Sequence, residues 1–328
     1  VTASVAPELV RRSLALRERL RPERGPLAAA SIGTVPILWN NVDIEELRLG
    51  TKPETILDEI ARLGYDGCQL GLGFPEGAEL VDALSSRNLR LAEVYASLPA
   101  SQDGPLMGAL EAALERLRLL VEGGGEVLCV ALDLSPGRLD RAGRAGDAAT
   151  PRLSADGWER LASVLHELAR ATMSAGRRLV FHPHAGTFVE TPAETERLLE
   201  TTDPGLVPLC LDVGHWIVGG GDPVAALRRF GGRISHVHLK DVDPVVLGQL
   251  RRGELQSFRE AIRARLFTEL GAGELDLLGC IRALAARRYD GWMMIEQDSS
   301  WSPPSEAAAI GRRVLAETLA TVDGEGDG

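Results

Sequence analysis

Apolar residues along this chain follow two alternating patterns. Short runs such as VLCVAL (127–132) and WMMI (292–295) are apolar at every position, as strands buried on both faces are. Between them, segments such as PETILDEIARLG (53–64) and DGWERLASVLHELARATMSAG (156–176) space their apolar residues three and four apart, which makes one face of a helix. Several of these segments end on a glycine suited to stop a helix, namely Gly64, Gly176 and Gly231. The pattern predicts strands over 30–38, 67–72, 89–97, 126–134, 178–184, 207–213, 233–239 and 291–297. Eight strands, each followed by a helix or a long loop, predict the α/β class and a closed (β/α)8 barrel rather than an open sheet. The barrel is expected over 26–322, after an N-terminal helical extension (1–25, with PELVRRSLALRERL) and before a flexible tail (323–328). No GxGxxG lies between the first strand and helix, which argues against a dinucleotide fold. Two insertions, 135–155 and 241–273, follow strands 4 and 7 at the end where barrels carry their sites, so each is a candidate lid or subunit contact.

Composition narrows the function. The 328 residues, 45% hydrophobic, suffice for one large core. A net charge of −11 excludes a nucleic acid or an anionic membrane as the expected partner. Cys68, Cys129, Cys210 and Cys280 are far apart, lie in apolar stretches and form no CxxC, so four reduced core thiols are expected. No apolar run approaches 18 residues, and no basic segment leads into an apolar one near residue 1; a soluble, cytoplasmic protein is expected.

The histidines carry the chemistry. Five of six (His182, His184, His215, His236 and His238) lie at or just beyond the C-terminal ends of strands 5, 6 and 7, which converge on one mouth; His166 sits on a helix. Asp212 ends strand 6 in LCLDVGH, Glu296 ends strand 8 in WMMIEQD, and Glu190 follows strand 5 in HPHAGTFVE. Carboxylates at the ends of apolar strands are costly unless paired or bound to metal. Imidazole with carboxylate suits Mn, Fe, Co or Zn, and an ion there would polarise a carbonyl. The competing reading is an Asp–His–Glu ion-pair network without metal. Around the mouth, Trp39, Asn40 and Asn41 are candidates to floor a pocket and bind hydroxyls, with a capping turn as the alternative for the asparagines. Either Glu93 or Tyr95 is expected to face the interior; Asp133 ends strand 4, and Lys240 and Asp241 follow His238. Lys240 is an acid–base candidate or a salt-bridge residue, while Trp216 and Trp292 read as packing.

Four stretches, HPHAGTFVETPAETERLLETTDP, LCLDVGHWIVGGGDPVAAL, ISHVHLKDV and YDGWMMIEQD, together with VPILWNNVD and LGYDGCQLG near the front, resemble the xylose-isomerase-like TIM-barrel superfamily of sugar isomerases, epimerases and dehydratases, and within it the inosose dehydratases. The resemblance spans residues 32–319. It implies one divalent ion, Mn foremost with Co, Fe, Zn or Mg as alternatives, held by Asp212, His238, Glu296 and a group from strand 5. Family members usually have Glu at the end of strand 5, where this chain has His182; the resemblance passes that role to Glu190, with His182 as the second choice. It places His215 beside the metal or the substrate. Gln69 stands where many relatives have Glu, a second departure.

The resemblance implies a metal-dependent dehydratase of a keto-cyclitol or keto-sugar working through an enediolate. His182, His184 or Lys240 would serve as base and His215 as acid. Isomerisation or epimerisation, and β-elimination of a 3-keto-glycoside, share the same first step. A sugar-binding barrel without chemistry is disfavoured by the intact Asp212, His238 and Glu296. An endonuclease IV-like DNA hydrolase is disfavoured by the acidic charge. The expected partner is a small polyhydroxylated ketone or sugar, and barrels of this kind often pair as homo-oligomers.

Overall fold

Every strand expected from the apolar runs is present, and almost all are trimmed. The structure, a computed structural model, describes residues 11–12, 15–16, 22–298 and 300–326. The barrel strands are β1 (Ser31–Thr34), β2 (Gly67–Gln69), β3 (Arg90–Leu98), β4 (Val127–Leu132), β5 (Arg178–Phe181), β6 (Leu209–Asp212), β7 (Ile234–Leu239) and β8 (Trp292–Ile295). They pair in parallel and in sequence order, and β8 closes against β1. Proline explains several of the shortened ends, because it has no N–H for the ladder. Pro36 opens a 3-10 turn (Pro36–Leu38) after β1, Pro183 follows β5, and Pro208 precedes β6.

The outer ring is α1 (Pro53–Arg62), α2 (Gly77–Ser85), α3 (Ala109–Glu122), α4 (Ala155–Ser174), α5 (Pro192–Thr201), α6 (Pro223–Arg229), α7 (Leu277–Ala285) and α8 (Pro304–Gly326). Their starts are capped where the sequence offers an oxygen. Ser154 accepts from Gly157 N–H ahead of α4, and Thr191 with Glu194 forms a reciprocal capping box on α5. Each such cap contributes about 1 kcal/mol. Outward-facing strand residues such as Ile32, Leu128 and Leu211 pack on the apolar faces of these helices. Ala92, Cys129, Val180, Cys210, Trp292 and Met294 fill the interior. There is no slack in that layer: a Cβ on Gly33 would sit 2.4 Å from Met294 Sδ. All four cysteines are buried and free, as expected.

A second apolar cluster roofs one side of the mouth. The insertion after β7 folds into two helices (Pro244–Arg252 and Phe258–Arg263), whose Val246, Leu250, Phe258 and Ile262 pack with Phe267, Ala142, Ala185, Ile217 and Ile44. Asp241 staples this insertion: its carboxylate accepts from the N–H groups of Gly271, Gly273 and Leu275 at 2.8–3.1 Å. Of the expected N-terminal helix, residues 11–12 and 15–16 are helical and the rest lie outside the described residues. Residues 323–326 continue α8; 327 and 328 lie outside the described residues. Among the described residues no helix is long and apolar enough to cross a membrane.

Candidate active site

Strand register assembles the centre. Side chains alternate along a strand, so His236 and His238 of β7 both point inward. Asp212 on β6 pairs directly with His238. Glu296 follows β8 with its N–H bonded to Leu239 O at 3.1 Å, and His182 follows β5 with its N–H on Val130 O at 2.7 Å. One ligand atom from each of His182, Asp212, His238 and Glu296 falls within 4.8 Å of the others, so the four could hold a metal ion. Glu296 Oε2 is 2.6 Å and Asp212 Oδ2 3.8 Å from His238 Nδ1, and His182 Nε2 is 3.7 Å from Asp212 Oδ2. Among the described residues, Asp212 Oδ2, His238 Nδ1 and Glu296 Oε2 are buried and meet no hydrogen-bond partner in acceptable geometry. His182 Nδ1 donates to Pro183 O at 2.9 Å, which leaves Nε2 as the nitrogen facing the group.

Lys240 sits beside this group and explains the DVGH motif. Its Nζ is 2.6 Å from Asp298, 3.0 Å from Glu296, 3.4 Å from Asp212 and 3.1 Å from His215 Nε2. Burial alone would favour the neutral amine, but the carboxylates of Asp212, Asp298 and Glu296 override it and raise its pKa. Asp212 is buried too, yet Lys240 holds its carboxyl well below the usual range. Glu296 is lowered to about 2 against its burial by Lys240 and His238. Within DVGH, Asp212 Oδ1 caps the short helix Val213–Val218 by accepting from His215 N–H at 2.8 Å. Gly214 leaves the lane in which Lys240 lies; a Cβ there would come within 2.8 Å of the lysine stem.

A cavity of about 250 Å³ opens onto the centre, lined by His182, His184, His238 and Glu296 and by Asp43, Gln69, Tyr95, Ser97 and Asp133 with apolar neighbours. Of the residues expected there, His182, His184 and Asp133 take their places. Lys240 and His215 do not line it: His215 stacks behind His184 with ring centres 3.7 Å apart, against Phe267 at 5.3 Å. Burial first, then the charges of His182 and Lys240, lower His184 to about 3. His215 is likewise held well below the ordinary histidine range by burial, then by its neighbours His184 and Lys240. Trp39, Asn40 and Asn41, expected as substrate contacts, instead hold the loop after β1. Trp39 Nε1 donates to Glu59 at 2.6 Å, Asn40 bonds Thr51 through both amide ends, and Asn41 bridges Asp298 O to the N–H groups of Asp43 and Ile44. Glu93, a second expected contact, lies below the cavity on His236 and His238. Glu93 and Tyr95 are two residues apart and share a face, so both point inward where only one was expected. Asp43 and Asp298 were not singled out, although they close the quoted motifs VPILWNNVD and YDGWMMIEQD.

Glu190, expected as the strand-5 ligand, is not brought into the four-residue group. Its oxygens accept from Gly186 N–H at 2.7 Å and Gly143 N–H at 2.8 Å, and Arg138 approaches to 3.9 Å while binding Glu194 through both nitrogens. Glu190 therefore ties the 135–155 insertion to the loop after β5. Burial pushes its pKa up to about 7, from 4.5. A raised folded-state pKa means that the native state binds the proton more tightly, so stability falls as pH rises between about 4.5 and 7. The loss amounts to about 3 kcal/mol. The melting temperature of Glu190→Gln relative to the wild type should shift in the variant's favour as pH rises across that window; parallel profiles would refute this.

The comparisons agree with the barrel fold. Residues 57–318 match the family described as Xylose isomerase-like TIM barrel. The chain belongs to that family. Among its relatives, Inosose dehydratase 1 of Bacillus cereus is 32% identical over 87% of this chain and 96% of that protein. The Rhizopine catabolism protein MocC of Rhizobium meliloti is 37% identical over 90% and 91%. Among solved structures, an L-ribulose 3-epimerase superposes with a TM-score of 0.68 at 20% identity, covering 91% of this chain and 97% of that one, a likeness of fold. Within the family barrel, this chain sets a histidine, His182, where strand 5 meets the mouth.

Proposed function

We propose that this protein is a divalent-metal-dependent hydro-lyase that removes water from an uncharged keto-cyclitol or a related keto-sugar. The observation that carries the reading is a four-donor group with three unsatisfied buried atoms at the floor of a polar pocket. Two imidazoles and two carboxylates suit Mn, Fe, Co or Zn, and the family resemblance puts Mn first. His182, Asp212, His238 and Glu296 would hold the ion, with His182 in place of Glu190. When bound, such an ion supplies Lewis-acid polarisation of a ketone oxygen, which acidifies the adjacent C–H. Among the described residues the pocket lining contains neither Lys nor Arg, which favours a substrate without phosphate or carboxylate. Asp43, Gln69, Tyr95, Ser97 and Asp133 offer partners for hydroxyls instead. The family resemblance, with relatives named inosose dehydratase, points the same way.

The chain's own groups divide the proton work. His184 Nδ1 donates to Ala185 O at 2.8 Å, so Nε2 keeps its lone pair in the neutral ring. As the C–H bond beside the ketone breaks, His184 Nε2 takes the proton. The electron pair is held first as the enediolate. As the ketone re-forms, the pair shifts into a new C=C bond while the neighbouring C–O bond breaks, and the departing hydroxyl leaves as water with a proton from Asp43. Asp43 is exposed as a residue yet lines the cavity, where desolvation outweighs the nearby charge of Lys240. Its carboxyl is thereby raised above the ordinary aspartate range, the direction a proton donor needs.

The test is incubation of Mn-loaded protein with 2-keto-myo-inositol. A product lighter by one water, with the absorbance of a conjugated enol-ketone, is expected. A product of unchanged mass would assign an isomerase or epimerase instead. No turnover of any keto-cyclitol or keto-sugar would sink the reading. In the same assay Asp43→Asn should lose about 10²-fold or more in kcat. It should still exchange the α-proton with deuterated solvent and retain its metal.

A further inference from the structure

Beneath the four-donor group, a carboxylate stands where an apolar barrel has no packing reason to place one. Glu93 is fully buried on β3, on the opposite wall of the barrel from β7. It reaches across the interior, where its Oε2 hydrogen-bonds His238 Nε2 at 3.2 Å and lies 2.9 Å from His236 Nε2. A neutral imidazole has one N–H and one lone pair, and the group bonded to one nitrogen decides which nitrogen carries the proton. His238 has two candidate acceptors on opposite sides of its ring: Glu93 at Nε2, and Glu296 Oε2 at 2.6 Å from Nδ1. With the proton on Nε2, the Nδ1 lone pair faces Asp212 and Glu296. With the proton on Nδ1, the ring donates to Glu296 and its lone pair is turned away from the donor group.

We propose that Glu93 is a positioning residue that holds His238 in the Nε2–H tautomer, with His236 as the second imidazole anchoring the carboxylate across the barrel. The assignment rests on His238 being a ligand of the metal centre proposed above. Glu93 is absent from the cavity lining, so it acts through His238 rather than on substrate. A carboxylate hydrogen-bonded to the far nitrogen of a ligating histidine fixes ring and tautomer, and removing such a partner costs roughly 10–100-fold in metal affinity.

The experiment uses the full chain stripped of metal, with nitrogen-15-labelled histidine. Nitrogen shifts are read at the alkaline end of its stable range, because, against burial, the negative groups around His238 raise its pKa and the ring must be neutral to show one tautomer. Wild-type protein should show His238 as the Nε2–H tautomer and bind about one equivalent of Mn²⁺ by calorimetry. Glu93→Met, close in shape but without an acceptor, should move His238 to the Nδ1–H tautomer and weaken Mn²⁺ binding roughly 10–100-fold. Glu93→Gln keeps one acceptor, should give an intermediate loss, and stands in if the methionine variant does not fold. A lower melting temperature with unchanged tautomer and unchanged affinity would make Glu93 merely structural and overturn the proposal. So would two Mn²⁺ in the wild type falling to one in Glu93→Met, which would make Glu93 and His236 ligands of a second ion. If the wild type binds no ion, the metal-centre reading fails, while the nitrogen shifts of His238 still decide whether Glu93 sets its tautomer.

Discussion

Asp212→Asn will abolish turnover while leaving the barrel folded. Asp212 has two separable duties. Oδ1 caps the helix Val213–Val218 through His215 N–H, a task that the asparagine oxygen can keep. Oδ2 is buried, meets no hydrogen-bond partner and faces His238 and His182, and this duty needs the negative charge. Lys240 remains neutralised by Asp298 and Glu296, so the metal-free variant is expected to melt close to the wild type. Lewis-acid stabilisation amounts to several kcal/mol of barrier, so kcat/KM should fall by about 10³-fold or more. Metal analysis of the purified variant should show that the bound equivalent is lost with the activity. A variant retaining both would remove Asp212 from the centre.

Lys240→Met should be the most destabilising single change at the site. It strands Asp212, Glu296 and Asp298, all within 3.4 Å of the ammonium, in a buried environment. It also removes a cation lying 4.6 Å over the Phe267 ring. Breaking a buried ion pair from one side costs about 3–5 kcal/mol because the partner charge stays behind. At this chain length that lowers the melting temperature by roughly 10 °C. Added Mn²⁺ should recover part of the loss, because it brings positive charge back to the same carboxylates. Unchanged melting would mean that these carboxylates are protonated without Lys240 and that its ammonium does not balance them.

Much of this site is legible in the chain because a (β/α)8 barrel converts sequence order into place. The short apolar runs identify the strands, and consecutive βα units allow only neighbouring parallel pairing. Residues that end successive strands must then meet at one mouth, which is why Asp212, His238 and Glu296 group together on sequence alone. Strand ends were less legible. The apolar run over 30–38 continues past β1 into a turn opened by Pro36, and the run over 207–213 gives up Val213 to a helix capped by Asp212.

The sequence by itself determined the barrel and its strand order, which depend only on the apolar pattern, and it brought Asp212, His238 and Glu296 to one mouth; the family resemblance singled these three out as proposed donors. Tertiary structure alone decided which group after β5 faces the other three, where Glu93 meets His238, and that Lys240 is buried among carboxylates. Glu190 and His182 both follow β5, but two backbone N–H groups from loops far apart in the chain claim the glutamate and leave the imidazole facing the centre. Glu93 meets His238 across 145 residues of chain, at the far wall of the barrel. Such choices turn on which lone pairs remain unsatisfied once distant loops have settled, and no local spacing encodes that.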